Sequence, residues 1–407
     1  MNKKEITSSY NRALKLPSLY WSELINIDRL SGKEKRVNFS KKASNYDFEK
    51  LKYKNEPLRY TKRHILKEID NIPCHKERLI MAFEHADGIE LPALNLLCAN
   101  YLKEKFIKET AYNYFVNRYL QNFSMDGLKL SEKKNKNIFN RFTFQPKEKK
   151  QIHREMVSVI MPAFNNEKTV TYAAKSILNQ THRNLELIIV DDCSTDNTYN
   201  TCLELQKHDN RIKVLRNHEN SGAYYSRNHG LKLSQGDYVT ILDADDWSFP
   251  ERLQIQISRL KNEDAVAHLG YYLRLTEEGF ITGFRIKGKY SYDGALHKCL
   301  ASLMIKKDYL DSYLGYWDSV RFGADSEMYN RILSLKNGKL IEDITPLMLA
   351  LERDDSLTRR PESALGNKAR SSYAKAFLEW HENIDEKNSK LEFPLKERPF
   401  SVDTSML

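Results

Sequence analysis

The chain has 407 residues, more than one compact domain usually holds, so two domains are the default expectation. Its hydrophobic content of 41% and aromatic content of 11% are typical of a globular protein. No stretch reaches the ~18 consecutive apolar residues that span a bilayer, and the first residues lack the apolar core of a signal peptide. These features argue against a membrane-spanning protein and predict a cytoplasmic one.

The positive charge lies in the first part of the chain. The formal net charge is +10, and residues 1–150 carry 31 Lys and Arg against 18 Asp and Glu. A solvated basic face is the more common explanation of such an excess. The alternatives are contact with an anionic membrane surface, an acidic glycan or nucleic acid. The five cysteines are scattered, odd in number and lack a Cys-x-x-Cys pair, which argues against a disulfide framework or a zinc site.

Three parts are predicted before residue 155. Residues 1–90 are polar and basic with patchy helical spacing, and we expect them to be helical. Residues 91–125 place apolar residues three and four positions apart, which predicts a helical hairpin of 91–106 and 108–123. Lys-rich sequence with few apolar residues predicts a linker over 126–154.

Strands and helices alternate from Met156 onward. The predicted strands cover 157–161, 185–190, 212–215 and 238–242, and the helices between them cover 169–179, 196–207 and 223–233. This alternation predicts an α/β fold with a mostly parallel sheet and helices on both faces. In such sheets, ligands bind beyond the carboxyl ends of the strands.

Polar turns follow three of these strands. They read Pro-Ala-Phe-Asn-Asn-Glu at 162–167, Asp-Asp-Cys-Ser-Thr-Asp at 191–196 and Asp-Ala-Asp-Asp at 243–246. Taken singly, the second turn is equally well explained as a helix N-cap, and the third as an Asp-rich turn before the helix near Pro250. Clustered carboxylates repel one another unless a cation neutralises them, so a divalent metal holding a diphosphate is the functional interpretation of the third turn.

Two further residues suit a nucleotide site. Asp192 stands at a strand end, where a carboxylate can accept hydrogen bonds from a uracil N–H or from ribose hydroxyls. Gly222 opens a helix, and Arg227, one turn later, can set a cation in the same cleft. A surface arginine is the alternative.

Four motifs in this order carry a family resemblance. They are Val-Ser-Val-Ile-Met-Pro-Ala-Phe-Asn, Val-Asp-Asp-Cys-Ser-Thr-Asp-Asn-Thr, Asn-Ser-Gly-Ala followed by Arg-Asn-His-Gly-Leu, and Asp-Ala-Asp-Asp-Trp. Together they resemble the family 2 glycosyltransferases of the GT-A fold. The resemblance implies a nucleotide-sugar donor, usually a UDP-sugar, a Mn²⁺ or Mg²⁺ ion, and inversion at the anomeric carbon.

The same resemblance implies roles for individual residues. Those it assigns to the donor nucleotide are Pro162, Ala163, Phe164, Glu167, Asp192, Arg227 and Asp243. It makes Asp245 the metal ligand, with Asp243 as second choice. The sequence leaves open whether Asp246 is a ligand or orders the turn.

The acceptor side is predicted in 266–360, after a nucleotide-binding half over 155–265. The segment 314–327 resembles the family's acceptor segment, in which a helix begins with the catalytic acid. Asp325 matches that general base and Asp318 is the second choice, whereas a helix cap is the alternative explanation of Asp325. The family usually has Glu-Asp here, but Ala324 precedes Asp325.

The end of the domain offers weaker matches. Arg353 and Arg359 lie in a segment that resembles one closing over the donor diphosphate in some relatives, although a charged surface turn explains it equally well. Residues 361–407, with a helix predicted over 364–381, are expected to pack back on the 155–360 domain or to mediate self-association.

The whole arrangement resembles a bacterial subgroup that builds capsule or other surface polysaccharide, including lipopolysaccharide. The expected partners are a UDP-sugar and a glycan or lipid-linked glycan acceptor, with peripheral contact at the inner face of the membrane and an oligomer as further options, and no nucleic acid. One alternative is a nucleotidyltransferase acting on sugar phosphates, which usually has a Gly-rich, basic loop that 162–167 lacks. The other is a catalytically silent glycan-binding scaffold, against which the retained carboxylates argue.

Overall fold

The computed structural model describes residues 154–282, 295–353 and 368–407, together with most of 109–143 and a few residues between 95 and 103. The chain divides into two compact units, one of residues 1–122 with 284–295, and one of residues 123–283 with 296–407. The region 1–90 and Arg359 lie outside the described residues. No helix within the described part has the length and apolar character needed to cross a membrane.

In the first unit, helix α1 covers Glu109–Gln121. It buries one face, and the buried side chains are Tyr112, Phe115, Val116, Tyr119 and Leu120. Their three- and four-residue spacing is the pattern that predicted a helix over 108–123. Most of the other expected helix, 91–106, lies outside the described residues.

The second unit begins with a small element where a linker was expected. Strands β1 (Lys129–Leu130) and β2 (Phe142–Thr143) pair antiparallel, with a 3₁₀ helix at Ile138–Arg141 between them. Ile138 and Phe139 are buried, and Phe139 stacks on Tyr172 with ring centroids 5.1 Å apart. This part of 126–154 is folded because its few apolar residues pack against the rest of the second unit.

A ten-stranded sheet forms the centre of the second unit. Its strands are β3 (Val157–Ala163), β4 (Leu185–Asp191), β5 (Ile212–Arg216), β6 (Tyr238–Ile241), β7 (Trp247–Ser248), β8 (Ala267–Leu275), β9 (Ile281–Thr282), β10 (His297–Lys298), β11 (Met304–Lys306) and β12 (Leu340–Leu351). Both β3 and β4 are buried along their full length, as expected for central strands covered on both faces.

The sheet is mixed in direction. Its main order is β5-β4-β3-β6-β11-β8-β12-β7, with β9 and β10 paired to β8. The first four strands are parallel, as the strand-helix alternation predicted. The antiparallel strand β11 then lies between β6 and β8, and β12 runs parallel to β8. The parallel part therefore brings the polar turns after β3, β4 and β6 to one edge.

Helices cover both faces of this sheet. They are α2 (Val170–Leu178), α3 (Thr198–His208), α4 (Ala223–Lys232), α5 (Arg252–Asn262), the short α6 (Lys307–Tyr309) with a π-helical turn at Leu310–Leu314, α7 (Ala324–Ser334) and α8 (Lys368–His381). Gly230 lets α4 approach closely, because a Cβ there would lie 2.6 Å from Ile160 on β3.

The C-terminal part packs on the acceptor half, one of the two outcomes expected for it. α8 packs against α7, and both contribute to one buried cluster that includes Phe322, Ala324, Tyr373, Phe377 and Met406. Residues 389–407 have little regular structure, yet Leu391 and Met406 are buried. The tail is therefore part of the second unit.

Candidate active site

The turn after β3 presents an aromatic ring to solvent. Phe164 is 45% exposed, whereas Pro162 and Ala163 are buried as the last residues of β3. The side-chain oxygen of Asn165 accepts a hydrogen bond from the backbone N–H of Thr195 at 2.9 Å, and the N–H of Asn165 donates to Ser194 Oγ at 3.0 Å. The turns after β3 and β4 are therefore joined.

Glu167 takes part in the same junction. Its carboxylate accepts a hydrogen bond from the backbone N–H of Asn197 at 3.2 Å, and its own N–H donates to Asp196 Oδ2 at 3.2 Å. Asn197 precedes α3, so Glu167 satisfies a donor at the start of that helix. The structure thus gives Glu167 a supporting contact, and its assignment to the nucleotide stays a prediction.

The carboxylate of Asp192 organises the loop that leads into α4. Its Oδ1 accepts hydrogen bonds from Asn217 Nδ2 at 2.7 Å and from the N–H of Ser221 at 3.0 Å. Its Oδ2 accepts from the N–H of Gly222 at 2.7 Å, whose φ of 90° is a conformation that glycine adopts readily. Since an ionised carboxylate has about four acceptor positions, one stays open on Oδ2 for a ligand.

Arg227 points into the protein and is not a surface residue. It is 4% exposed, its Nη2 donates to Asp243 Oδ1 at 2.8 Å, and its guanidinium lies 4.7 Å from the Tyr224 ring centroid. Its Nε and Nη1 are buried and have no hydrogen-bond partner among the described residues. Because unpaired buried donors are rare, these N–H groups are suited to a ligand.

The three carboxylates after β6 have different environments. Asp243 pairs with Arg227, and Asp246 Oδ1 accepts a hydrogen bond from the N–H of Leu351 at 3.1 Å. Asp246 therefore ties the turn to β12, through one of its two carboxylate oxygens. Tyr172 fixes the turn from the other side, since its hydroxyl donates to the backbone carbonyl of Asp245 at 2.8 Å.

The side chain of Asp245 has a neighbour of opposite charge, Arg353, at longer range than the Arg227–Asp243 pair. Arg353 Nη1 lies 3.7 Å from its Oδ2, and both side chains are 30% exposed. Burial first, and the charge of Asp243 second, raise the pKa of Asp245 to about 6. Burial also raises the pKa of Asp246 well above its usual value, with Asp245 and Asp243 adding to it. The turn is thus short of positive charge.

These residues fit a metal that is shared with a ligand, not a preformed protein cage. Within the described ranges, no three His, Cys, Asp or Glu side chains converge on a metal position. Arg227 and Leu351 engage Asp243 and Asp246 at 2.8 and 3.1 Å, whereas the pairing of Asp245 with Arg353 is longer, at 3.7 Å, so Asp245 is the carboxylate that a cation could most readily engage. One carboxylate together with substrate phosphates and water is a common way to hold Mg²⁺.

Asp325 belongs to the segment that the sequence predicts for the acceptor. It is half-buried in the first turn of α7, whose N-cap is Gly323, so Asp325 is not the cap residue. Burial raises the pKa of Tyr224, and the negative charge of Asp325 adds to this. The ring of Tyr224 also lies against Arg227. Asp325 is therefore placed beside the Arg227–Asp243 pair.

Asp318, the second choice for the base, is occupied by a structural contact. It is fully buried, accepts hydrogen bonds from Arg398 Nε at 3.0 Å and from the hydroxyl of Tyr373 at 3.1 Å, and lies 2.9 Å from Arg398 Nη2. An acceptor hydroxyl would have to displace these partners. Asp318 is therefore engaged by Arg398 and Tyr373, and the assignment of Asp325 as the base stays a prediction.

The sequence analysis missed a residue that joins the two halves. Asn228 on α4 is fully buried, and its side chain exchanges two hydrogen bonds with the backbone of Trp317, at 2.7 and 2.9 Å. It thereby fixes the acceptor segment beside Arg227. The sequence signal for it was a side-chain amide on the inner face of a helix, because a buried amide needs hydrogen-bond partners.

One family model matches the central part of the chain. Residues 158–307 match the family model described as Glycosyl transferase family 2. This match agrees with the GT-A fold expected from the motifs and opposes the nucleotidyltransferase alternative.

Individual relatives match over part of their length. The chain is 33% identical over 135 residues to glycosyltransferase GlyG of Streptococcus pneumoniae, covering 33% of this chain and 45% of that one. It is 35% identical over 144 residues to the Escherichia coli protein WfgD, named a UDP-Glc:alpha-D-GlcNAc-diphosphoundecaprenol beta-1,3-glucosyltransferase, covering 35% and 56%. The chain thus spans about half the length of these curated relatives.

A solved structure also shows a partial likeness. The crystal structure of S. aureus TarS 1–349 in complex with UDP-GlcNAc is 20% identical, covers 49% of this chain and 60% of that one, and has a TM-score of 0.39. The fold assignment depends instead on the strand order and the family model. On that basis, residues 158–307 are similar to a family 2 glycosyltransferase domain, and the strand order agrees with the GT-A fold.

Proposed function

We propose that this chain is an inverting glycosyltransferase that moves a sugar from a UDP-sugar to a hydroxyl group of a glycan. The observation that carries the proposal is the 2.8 Å ion pair between Arg227 and Asp243 with Asp325 beside it. This pair sets the donor-side carboxylates next to a half-buried carboxylate of the acceptor half. A donor and an acceptor bound on either side would meet there.

The donor side offers groups that suit a uridine diphosphate. The exposed ring of Phe164 can stack on a base. Asp192 holds the adjoining loop and keeps one acceptor position open. The unpartnered Nε and Nη1 of Arg227 can donate to nucleotide oxygens.

A divalent cation, Mn²⁺ or Mg²⁺, fits beside Asp245, with Asp243 as the second choice. When bound, such an ion would stabilise the negative charge that develops on the departing diphosphate. Its placement is supported by the raised pKa of Asp245, which follows from burial and from Asp243. Arg353 lies close enough to Asp245 to reach the same diphosphate, while a similar role for Arg359 stays a prediction from sequence.

Asp325 acts as the general base in this proposal. The acceptor hydroxyl gives its proton to the Asp325 carboxylate as its oxygen attacks the anomeric carbon. The bond from that carbon to the diphosphate breaks on the opposite face, so UDP leaves and the configuration inverts. Ala324 supplies no second acid, so Tyr224 and Arg227 are the polar neighbours of the base.

The names of the relatives favour surface polysaccharide as the product. Two Escherichia coli relatives are named as transferring glucose from UDP-Glc to a GlcNAc-diphosphoundecaprenol, and one Bacillus subtilis relative is named for teichuronic acid biosynthesis. A lipid-linked glycan acceptor, as in capsule or lipopolysaccharide assembly, would bring the enzyme to the inner face of the membrane as a peripheral protein.

Release of UDP from a panel of nucleotide sugars tests the proposal. With Mn²⁺ and a glycan acceptor, the wild-type chain is expected to release UDP from at least one donor, and EDTA should abolish this. Asp245→Ala should lose metal-dependent turnover. Asp325→Asn should lower the transfer rate by roughly 10²–10⁴-fold with UDP affinity retained, because loss of a general base affects the chemical step.

A matched control is Asp311→Asn, which changes a solvent-exposed carboxylate paired with Lys307. It should leave turnover unchanged. UDP release that is unchanged in both Asp245→Ala and Asp325→Asn would refute the proposed mechanism. Binding of glycan without turnover of any donor would favour the catalytically silent scaffold.

A further inference from the structure

Strand β8 presents an arginine that no motif singled out. Along its last five residues, Tyr271, Leu273 and Leu275 are buried, while Tyr272 and Arg274 are half-buried. Because side chains alternate across a strand, Tyr272 and Arg274 share the face opposite to the buried three. The polar groups of Tyr272 and Arg274 therefore lie on the same face of the strand.

The guanidinium of Arg274 is held in place by an aromatic neighbour. Its Nη2 donates to the hydroxyl of Tyr272 at 3.2 Å, and its central carbon lies 5.3 Å from the centroid of that ring. The ring of His297 on β10 lies 5.8 Å from Tyr272 on the other side. Of the five N–H groups of the guanidinium, four have no hydrogen-bond partner within the described part of the chain.

Strand register places Arg274 beside the acidic turn. Arg274 pairs with Ala350 on β12, and the next residue, Leu351, donates its N–H to Asp246. Arg353, slightly further along, is the residue 3.7 Å from Asp245. Two arginines, from neighbouring strand ends, therefore flank the turn that carries Asp245.

The positive charge of Arg274 is not neutralised by a carboxylate among the described residues. Among the described residues, no carboxylate lies within ion-pair distance of its guanidinium. The positive charge of Arg274 acts on Asp245 and Asp246 from a distance. A fixed, half-buried cation with open donors beside a metal-binding turn suits a phosphate.

We infer that Arg274 is a further catalytic residue, which binds the sugar-bearing phosphate of the donor and stabilises the charge of the leaving diphosphate. This rests on the proposed function. The outer phosphate is favoured over the inner one because Arg274 lies on β8, beyond β6 and β11 in the sheet order, whereas the nucleoside contacts follow β3 and β4. A UMP ligand would lack the group that Arg274 contacts.

The test compares the binding of UDP and UMP to the full chain in Mn²⁺ by calorimetry. The wild type should bind UDP more tightly than UMP. Arg274→Gln should weaken UDP binding roughly tenfold to 100-fold and change UMP binding by less than about threefold, because a charge-assisted contact is lost to one phosphate alone. Arg274→Lys should recover part of the loss. The matched control is Arg259→Gln, since Arg259 is 51% exposed and pairs with Asp343.

Three results would overturn the inference or its basis. Equal loss of UDP and UMP binding in Arg274→Gln, or a lowered melting temperature beyond that of the control, would show a structural role. Unchanged UDP and UMP binding with weaker binding of the UDP-sugar alone would show that Arg274 contacts the sugar. A wild type that binds neither nucleotide would refute the proposed function itself, whatever the variant does.

Discussion

Function and stability oppose each other at Asp245. Burial and Asp243 raise the pKa of this carboxyl to about 6, so its ionised form is disfavoured in the fold. A raised carboxyl pKa means that the folded state binds the proton more tightly than the unfolded chain does. The cost to stability is therefore absent below pH ~4, grows as the pH rises to about 6, and is constant above that. A bound cation would remove it.

Asp245→Asn is accordingly expected to stabilise the metal-free protein. At pH 7.5 the gain in unfolding free energy should be about 1–2 kcal/mol, reduced from the full effect of the pKa shift because the side chain is 30% exposed. At pH 5 the gain should be about half as large. Thermal unfolding in EDTA at both pH values measures this, with Asp311→Asn as the exposed control. A lower melting temperature for Asp245→Asn at pH 7.5 would contradict the account.

Among the elements, the C-terminal segment 389–407 positions the acceptor loop. The N–H of Leu391 donates to Leu314 at 3.0 Å and the N–H of Tyr316 donates to Leu391 at 3.1 Å. Further along, Arg398 pairs with buried Asp318, and the N–H of Arg321 donates to Met406 at 2.7 Å. Each contact falls on residues that precede Asp325, so the tail holds the segment that leads to Asp325 from outside the region matched by the family model.

Arg398→Met should reveal this role. It would leave the Asp318 carboxylate buried without a counter-charge, which costs about 3 kcal/mol or more in unfolding free energy. We expect a lower melting temperature and slower transfer, with UDP affinity unchanged because the donor contacts lie elsewhere. The double variant Asp318→Asn with Arg398→Met removes both charges and should recover part of the stability. A double variant no more stable than the single one, or a parallel loss of UDP binding, would argue against it.

The elements also show where sequence reasoning succeeds and where it stops. The turns after β3, β4 and β6 were predictable because each is local in sequence and parallel strands end at one edge. Other interactions join residues that are far apart in the sequence. Asp246 and Leu351 are 105 positions apart, Asp318 and Arg398 are 80 positions apart, and Arg274 is about 30 positions from the acidic turn. Pairs so far apart leave no periodic pattern in the sequence. The sequence predicted a linker over 126–154 because lysines outnumber the few apolar side chains on which the folding of this segment depends.

At the scale of the whole molecule, charge is divided along the chain. Residues 1–150 carry an excess of Lys and Arg, whereas residues 151–407 carry 34 Lys and Arg against 37 Asp and Glu. The part with the catalytic residues is therefore close to neutral. A lipid-linked acceptor lies in a leaflet with anionic headgroups, and each basic residue near such a surface contributes about 1 kcal/mol of attraction.

We therefore expect the full chain to sediment with vesicles that contain about one-third anionic phospholipid and not with zwitterionic vesicles. Because exposed charges are screened within ~3–4 Å at salt concentrations near 1 M, raising the salt should release it. UDP release with a soluble acceptor, measured in the same salt series, should change far less, since Arg227 of the Arg227–Asp243 pair is buried. Binding to both kinds of vesicle would indicate an apolar contact instead. Binding to neither kind of vesicle would indicate that the basic residues of 1–150 form a solvated face, and it would refute their attraction to a membrane that holds the acceptor.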